Sequence, residues 1–114
     1  TLMLCYPLIT MGEKTHKVSR RNFLGIFPGK TEINASSVEK LVNGSFPPTF
    51  VWACEDDGTV DYRNSEMLCD ALRKNGVPYE FKLFKTGGHG IGLADGKEPE
   101  GWFENCCEFC KKHI

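Results

Sequence analysis

No apolar stretch in this sequence approaches the ~18 residues that a bilayer-crossing helix requires, and the amino terminus lacks the basic-then-apolar layout of a secretion signal. Membrane embedding is therefore not expected. Charge of one sign is also missing: 14 basic residues face 15 acidic ones, leaving a formal charge of -1 with no long basic run to follow a phosphate backbone. That balance argues against a nucleic-acid partner. There is no phosphate-cradling glycine loop either, because the glycines at 87 to 92 surround a histidine and do not lead into a clear helix. No internal repeat or low-complexity segment is present. Nothing in the residues calls for a cofactor.

What remains is an ordinary globular composition, 40% hydrophobic and 25% charged, which is too apolar for disorder. At 114 residues the chain has room for one small domain and not for two well-packed ones. Six cysteines raise the question of a disulfide framework. Their placement points elsewhere: Cys5 and Cys54 lie in strand patterns, and Cys69, Cys106, Cys107 and Cys110 in helical ones, mostly on apolar faces. Free cysteine packs as a small hydrophobe, so a reducing compartment, the cytoplasm, is the expectation. The run from Cys106 to His113 suggests a metal cluster only superficially. Ligands on one short helix cannot surround a tetrahedral ion, and Cys106 and Cys107 diverge by about 100°.

In chain order, LMLCYPL (2 to 8) is an apolar run ending near Pro7 and suits a strand covered on both faces. A chain that opens inside a strand pattern looks cut from a longer one. The polar segment from Ile9 to Asn22 reads as a loop leading to a helical turn near Arg20 to Leu24, and FPGKTEIN reads as a further loop. The basic residues of the first of these segments, His16, Lys17, Arg20 and Arg21, form either a substrate entrance or, preferably, a solvated face. Ser36 with Glu39 matches a capping box and starts a helix that Gly44 ends. The strand TFVWAC (49 to 54) follows Pro47 and Pro48. Asp61 caps a helix reaching Asn75-Gly76, and YEFKLFK alternates as a strand near a sheet edge. Finally Trp102, Phe103, Cys106, Cys107 and Cys110 mark one face of a terminal helix, with Lys111 and Lys112 at its end.

Strand, helix, strand is the crossover arrangement of a parallel sheet, so the fold class is α/β. Neighbouring parallel strands end on one edge, about 5 Å apart. Two loops sit there. EDDGTV (Glu55 to Val60) follows one strand and KTGGHGIGL (Lys85 to Leu93) the next, the latter holding one histidine among four glycines. Asp56 or Asp57 should therefore emerge beside His89. A carboxylate accepting one ring N–H fixes the tautomer and leaves the other nitrogen to take a proton from a nucleophile. A cysteine nucleophile at Cys5 is disfavoured, because Cys5 lies inside a strand pattern and not at a turn.

From Pro47 to Leu93 these residues resemble the end of α/β-hydrolase serine esterases, in particular the acetyl xylan esterase and bifunctional carbohydrate esterase branch. The shared features are a PPTF strand, a DD pair, an ALRKxGVP helix and a GGHGxGL loop. YPLITMGEKTHKVSRRNFLG, upstream, is similar to the segment after that branch's nucleophile helix. The resemblance implies the C-terminal portion of an α/β-hydrolase fold, with His89 as base and Asp57, three residues before Val60, as acid; Asp56 is the second choice. Family members carry His-Thr-Ala before the pair and proline after the valine, where this chain has Ala53-Cys54-Glu55 and Asp61. The family's serine sits in a GxSxG elbow, and none of Ser19, Ser36, Ser37, Ser45 or Ser65 does.

By family order the serine would precede Thr1. The chain alone would then hydrolyse nothing, and its first strand would need the N-terminal half of the domain, or a second copy, to cover its edge. The implied substrate is an acetylated or feruloylated carbohydrate. A prolyl oligopeptidase-type peptidase and a non-catalytic hydrolase-fold remnant or interaction module are the other two options.

Overall fold

TFVWAC is apolar at every position but its first, and such a strand is stable only when helices cover both of its faces. A computed structural model, which describes residues 1–114, places it in that setting. Three parallel strands, β1 (Leu2–Cys5), β2 (Thr49–Cys54) and β3 (Tyr79–Phe84), lie in the order β1-β2-β3. All residues of β2 are buried. The register aligns Leu2 with Thr49 and Thr49 with Tyr79, so the three strands start level and deliver their following loops to one edge.

Alternation along β2 sorts its side chains onto two cores. Phe50, Trp52 and Cys54 pack with Trp102, Cys106 and Phe109 of the terminal helix α4 (Trp102–Lys112). Trp52 and Trp102 meet at a centroid distance of 5.2 Å. On the other face Leu68 and Leu72 of α3 (Arg63–Lys74) join Ile9 and Val77. Complete burial of side chains as large as Phe50, Trp52 and Leu68 contributes about 1.5–3 kcal/mol apiece. These contacts dominate what holds the sheet to its helices. The helix α3 stops as its sequence suggests: Gly76 adopts φ +67, and the Val77 amide returns to the Leu72 carbonyl at 3.0 Å.

Several elements differ from the sequence expectation. The strand β1 ends at Cys5, because Tyr6 turns to φ +39, and its faces are not covered as expected: no residue in it is buried and Met3 is 46% exposed, although its place at the sheet edge is the one foreseen. The first helix, α1 (Lys17–Leu24), begins three residues earlier than Arg20, since the His16 ring accepts the Ser19 amide. FPGKTEIN is not a loop, because α2 (Lys30–Ser36) starts within it. Glu32 reaches back to the Gly29 amide as a capping carboxylate. Ser36 therefore ends a helix instead of starting one, and only a single 3-10 turn, Val38–Lys40, follows.

Asp61 accepts the Arg63 amide at 2.9 Å and so caps α3 as expected, two positions before its first residue. In α4 the buried stripe is Trp102, Cys106 and Phe109, the i, i+4, i+7 row. Phe103, 43% exposed, lies outside it. The edge position foreseen for the third strand is where β3 lies. No helix is long and apolar enough to cross a membrane.

Candidate functional site

The loops after β2 and β3 meet because their strands pair in register to the last residue, Cys54 against Phe84. One further bond, Glu55 amide to Phe84 carbonyl at 2.8 Å, carries the ladder into the acidic loop. There the chain turns tightly, with the Asp57 amide donating to the Cys54 carbonyl. The Asp57 carboxylate then folds inward. Its Oδ1 accepts the amides of Thr59 at 2.8 Å and Val60 at 3.0 Å. Its Oδ2 accepts the Nδ1–H of His89 at 2.8 Å.

The Asp57 side chain is 1% exposed and that of His89 30%, so the acid is sealed while the imidazole reaches the surface. With three donors directed at it, Asp57 is an acceptor only. That fixes His89 as the tautomer protonated at Nδ1 and leaves Nε2 with its lone pair free to accept a proton.

Asp56, adjacent in sequence, faces another way. Its Oδ2 accepts the Gly87 amide at 3.2 Å and its Oδ1 the Gly88 amide at 2.9 Å. The structure thus brings Asp57 to the ring and Asp56 to the backbone of the histidine loop. That loop is shaped by glycine where no other residue would serve. Gly87 has φ +146, and a Cβ there would lie 2.7 Å from the buried Cys54 sulfur. Farther along, Glu98 accepts both the amide and the hydroxyl of Thr86, at 2.8 and 3.1 Å. The Thr86 amide holds the Glu98 carboxyl below its usual range.

Two neighbours of the site were not visible in the sequence. Tyr6, at the end of β1, brings its ring to 4.5 Å from the His89 ring and 5.0 Å from Trp52. The only local signal is its place before Pro7 at a strand end. Asn64, fully buried at the start of α3, accepts the Ile9 and Thr10 amides, both at 3.0 Å, and donates to the Lys14 and Asp61 carbonyls. It ties the loop after β1 to the segment that follows Asp57. A polar groove of about 590 Å³ lined by Lys14, Thr59, Tyr62 and Arg63 borders Asp57. His89 is not among the residues that line it.

Neither thiol near the site, the half-buried Cys5 or the buried Cys54, is prepared for attack. Burial first, then the Asp56 and Asp57 carboxylates, push the Cys54 thiol up to about 11, and burial also raises Cys5. Of the basic residues before β2, His16 caps α1 and Arg20 donates to the Met11 and Gly12 carbonyls. Arg20 braces its own loop.

Residues 13–114 match the family model of the prolyl oligopeptidase family. The chain belongs to that family. Its architecture is that of the α/β-hydrolase fold, of which it forms a part. Over 101 residues it is 38% identical to endo-1,4-beta-xylanase B of Butyrivibrio fibrisolvens, a match spanning 89% of this chain and 16% of that protein.

Among solved structures, the acetyl ester-xyloside bifunctional hydrolase of Caldicellulosiruptor lactoaceticus superposes with a TM-score of 0.93 at 36% identity. The match covers 96% of this chain and 41% of that one. The carboxylesterase Cest-2923 of Lactobacillus plantarum gives a TM-score of 0.79 at 23% identity, over 96% and 43% of the two chains. The chain thus spans less than half the length of each of these three proteins.

Proposed function

We propose that these residues supply the acid and base of a serine carboxylic-ester hydrolase acting on acetylated or feruloylated carbohydrate, and that they form the C-terminal portion of its domain. The observation that carries this reading is the 2.8 Å contact from a sealed Asp57 to His89, which leaves Nε2 free. In that role Nε2 takes the proton of a serine hydroxyl as its oxygen attacks the ester carbonyl. The tetrahedral intermediate collapses, the sugar alkoxide leaves with the proton from His89, and water, activated by the same nitrogen, releases the acid. Asp57 stays ionised throughout and stabilises the imidazolium.

The serine belongs to an elbow outside the 114 residues, so the isolated chain is inactive and its β1 edge pairs with the rest of the domain or with another copy. A reducing, cytoplasmic setting accompanies this reading, given the six unpaired thiols. Support for the substrate class comes from the related bifunctional hydrolase, whose own name specifies acetyl esters and xylosides.

The test is acetate release from acetylated xylan by the full encoded protein and its His89→Ala variant. Turnover that the variant lacks is expected; equal turnover in both overturns the reading. The family match favours, as second reading, a peptidase. Cleavage of a proline-containing peptide with no acetate release would select it.

A further inference from the structure

We infer that Asp56 is a positioning residue for His89: it fastens the backbone of the loop that carries the ring, while Asp57 fastens the ring itself. This rests on His89 acting as the base proposed above.

The glycine loop has little to hold it on its own. Gly87, Gly88 and Gly90 all have positive φ, and no backbone carbonyl receives the amides of Gly87 or Gly88. Glycine also brings the largest conformational entropy to such a segment. Left to itself, a loop of this composition samples many shapes, and His89 moves with it. Two carboxylates remove that freedom. Asp56 takes the Gly87 and Gly88 amides, one on each oxygen, and Glu98 takes the amide of Thr86 immediately before them.

The residues just before His89 are therefore held by two acids, one from the end of β2 and one from the segment that precedes α4. Contacts to ionised acceptors are about twice as strong as neutral ones, and both oxygens of Asp56 are used. Behind the loop, the missing Cβ of Gly87 lets the backbone seat against Cys54, so it cannot retreat toward β2 either.

Position matters here because the ring has to meet two partners at once. Nδ1 must stay 2.8 Å from Asp57 while Nε2 faces the reacting hydroxyl. A displacement of about 1 Å in such an arrangement costs on the order of 100-fold in rate. Asp56 touches neither the ring nor any reacting atom. Its effect is exerted through the loop, and should appear in kcat and not in KM.

The experiment compares Asp56→Ala, Asp56→Asn and the parent in the full encoded protein by residue-resolved amide exchange and by acetate-ester kinetics. In Asp56→Ala, exchange at Gly87 and Gly88 is expected to rise at least about tenfold relative to Thr59 and Val60, which Asp57 holds. The same variant should lose about 10- to 100-fold in kcat with KM within twofold. Asp56→Asn, which keeps one acceptor oxygen, should recover part of both, and it serves alone if the alanine variant does not fold.

Unchanged exchange at Gly87 and Gly88 overturns the inference. So does loosening confined to those amides with kcat within twofold of the parent, or a uniform loss of protection across β2 and β3 with no excess at the loop. If His89→Ala retains full turnover, it is the hydrolase reading that has failed. The claim that Asp56 fastens the loop is then decided by the exchange data alone.

Discussion

Asn64→Ala should cost more stability than any surface position of this chain. The asparagine is fully buried and uses all of its hydrogen-bonding atoms, with Oδ1 receiving the Ile9 and Thr10 amides and Nδ2 donating to the Lys14 and Asp61 carbonyls. Truncation leaves two donors on residues that are 3% and 2% exposed, where water cannot replace the lost oxygen. Each orphaned buried donor costs about 1–3 kcal/mol. The two carbonyls lie nearer the surface and can turn toward solvent, so they add less.

The two donors together cost about 2–6 kcal/mol, a large share of the ~5–15 kcal/mol by which domains are stable. Asn64→Asp should fare no better. It keeps the acceptor but aims a carboxylate oxygen at two carbonyls. The assay is urea unfolding of the full encoded protein and the two variants, with the midpoint falling and the slope unchanged. A loss below about 1 kcal/mol in Asn64→Ala would refute the claim that this side chain bolts the loop after β1 to α3.

Gly87→Ala and Gly88→Ala separate steric crowding from backbone strain. Both glycines have positive φ, but only at Gly87 does a Cβ collide, 2.7 Å from Cys54 Sγ. Gly87→Ala should be about 1–3 kcal/mol worse by thermal unfolding, and equal losses would contradict the seating of the loop. Tyr6→Leu removes the ring 4.5 Å from His89 and is expected to lower kcat about three- to tenfold, with Tyr6→Phe near the parent. Equal kcat in all three proteins would exclude Tyr6 from shaping the site.

Alkaline pH should destabilise the protein. Burial, then the Asp70 and Glu66 charges, raise the Cys69 thiol from 9.0 to about 12, so the unfolded thiol ionises first. Stability is then full below pH 9 and falls between 9 and about 12. A melting temperature that declines above pH 9, and declines less in Cys69→Ala, is the expected result; identical pH profiles would count against it.

The parts of this molecule that could be read from sequence are those whose signal is local. The strand β2 announces itself by a continuous apolar run, and the glycines around His89 mark a loop at the end of the next strand. Parallel pairing does the rest, because it places both loops on one edge without any long-range information. Of the two candidate acids, the residues alone could not choose. Asp57 and Asp56 differ in which way the turn after Cys54 points them, and that depends on bonds to Thr59, Val60, Gly87 and Gly88.

Where two local signals competed, the wrong one prevailed. Ser36 with Glu39 has the better capping sequence, yet Gly29 with Glu32 starts the helix, and Ser37 is drawn into bonds with Met11 and Ile33. Asn64 and Tyr6 carried no usable sign, because their partners are distant in sequence: 55 and 54 residues for the amides bound by Asn64.

The most direct measurement is the rate of acetate release by the Asp57→Asn variant of the full encoded protein. The new side chain can still accept the Thr59 and Val60 amides on its oxygen, so the turn survives. Its amino group then faces Nδ1 of His89, which must become the acceptor and put the ring proton on Nε2, where a base is needed. A loss of about 10³- to 10⁴-fold in kcat with the fold intact is the predicted result. A variant that keeps its rate within tenfold of the parent would contradict the pairing of Asp57 with His89 as acid and base.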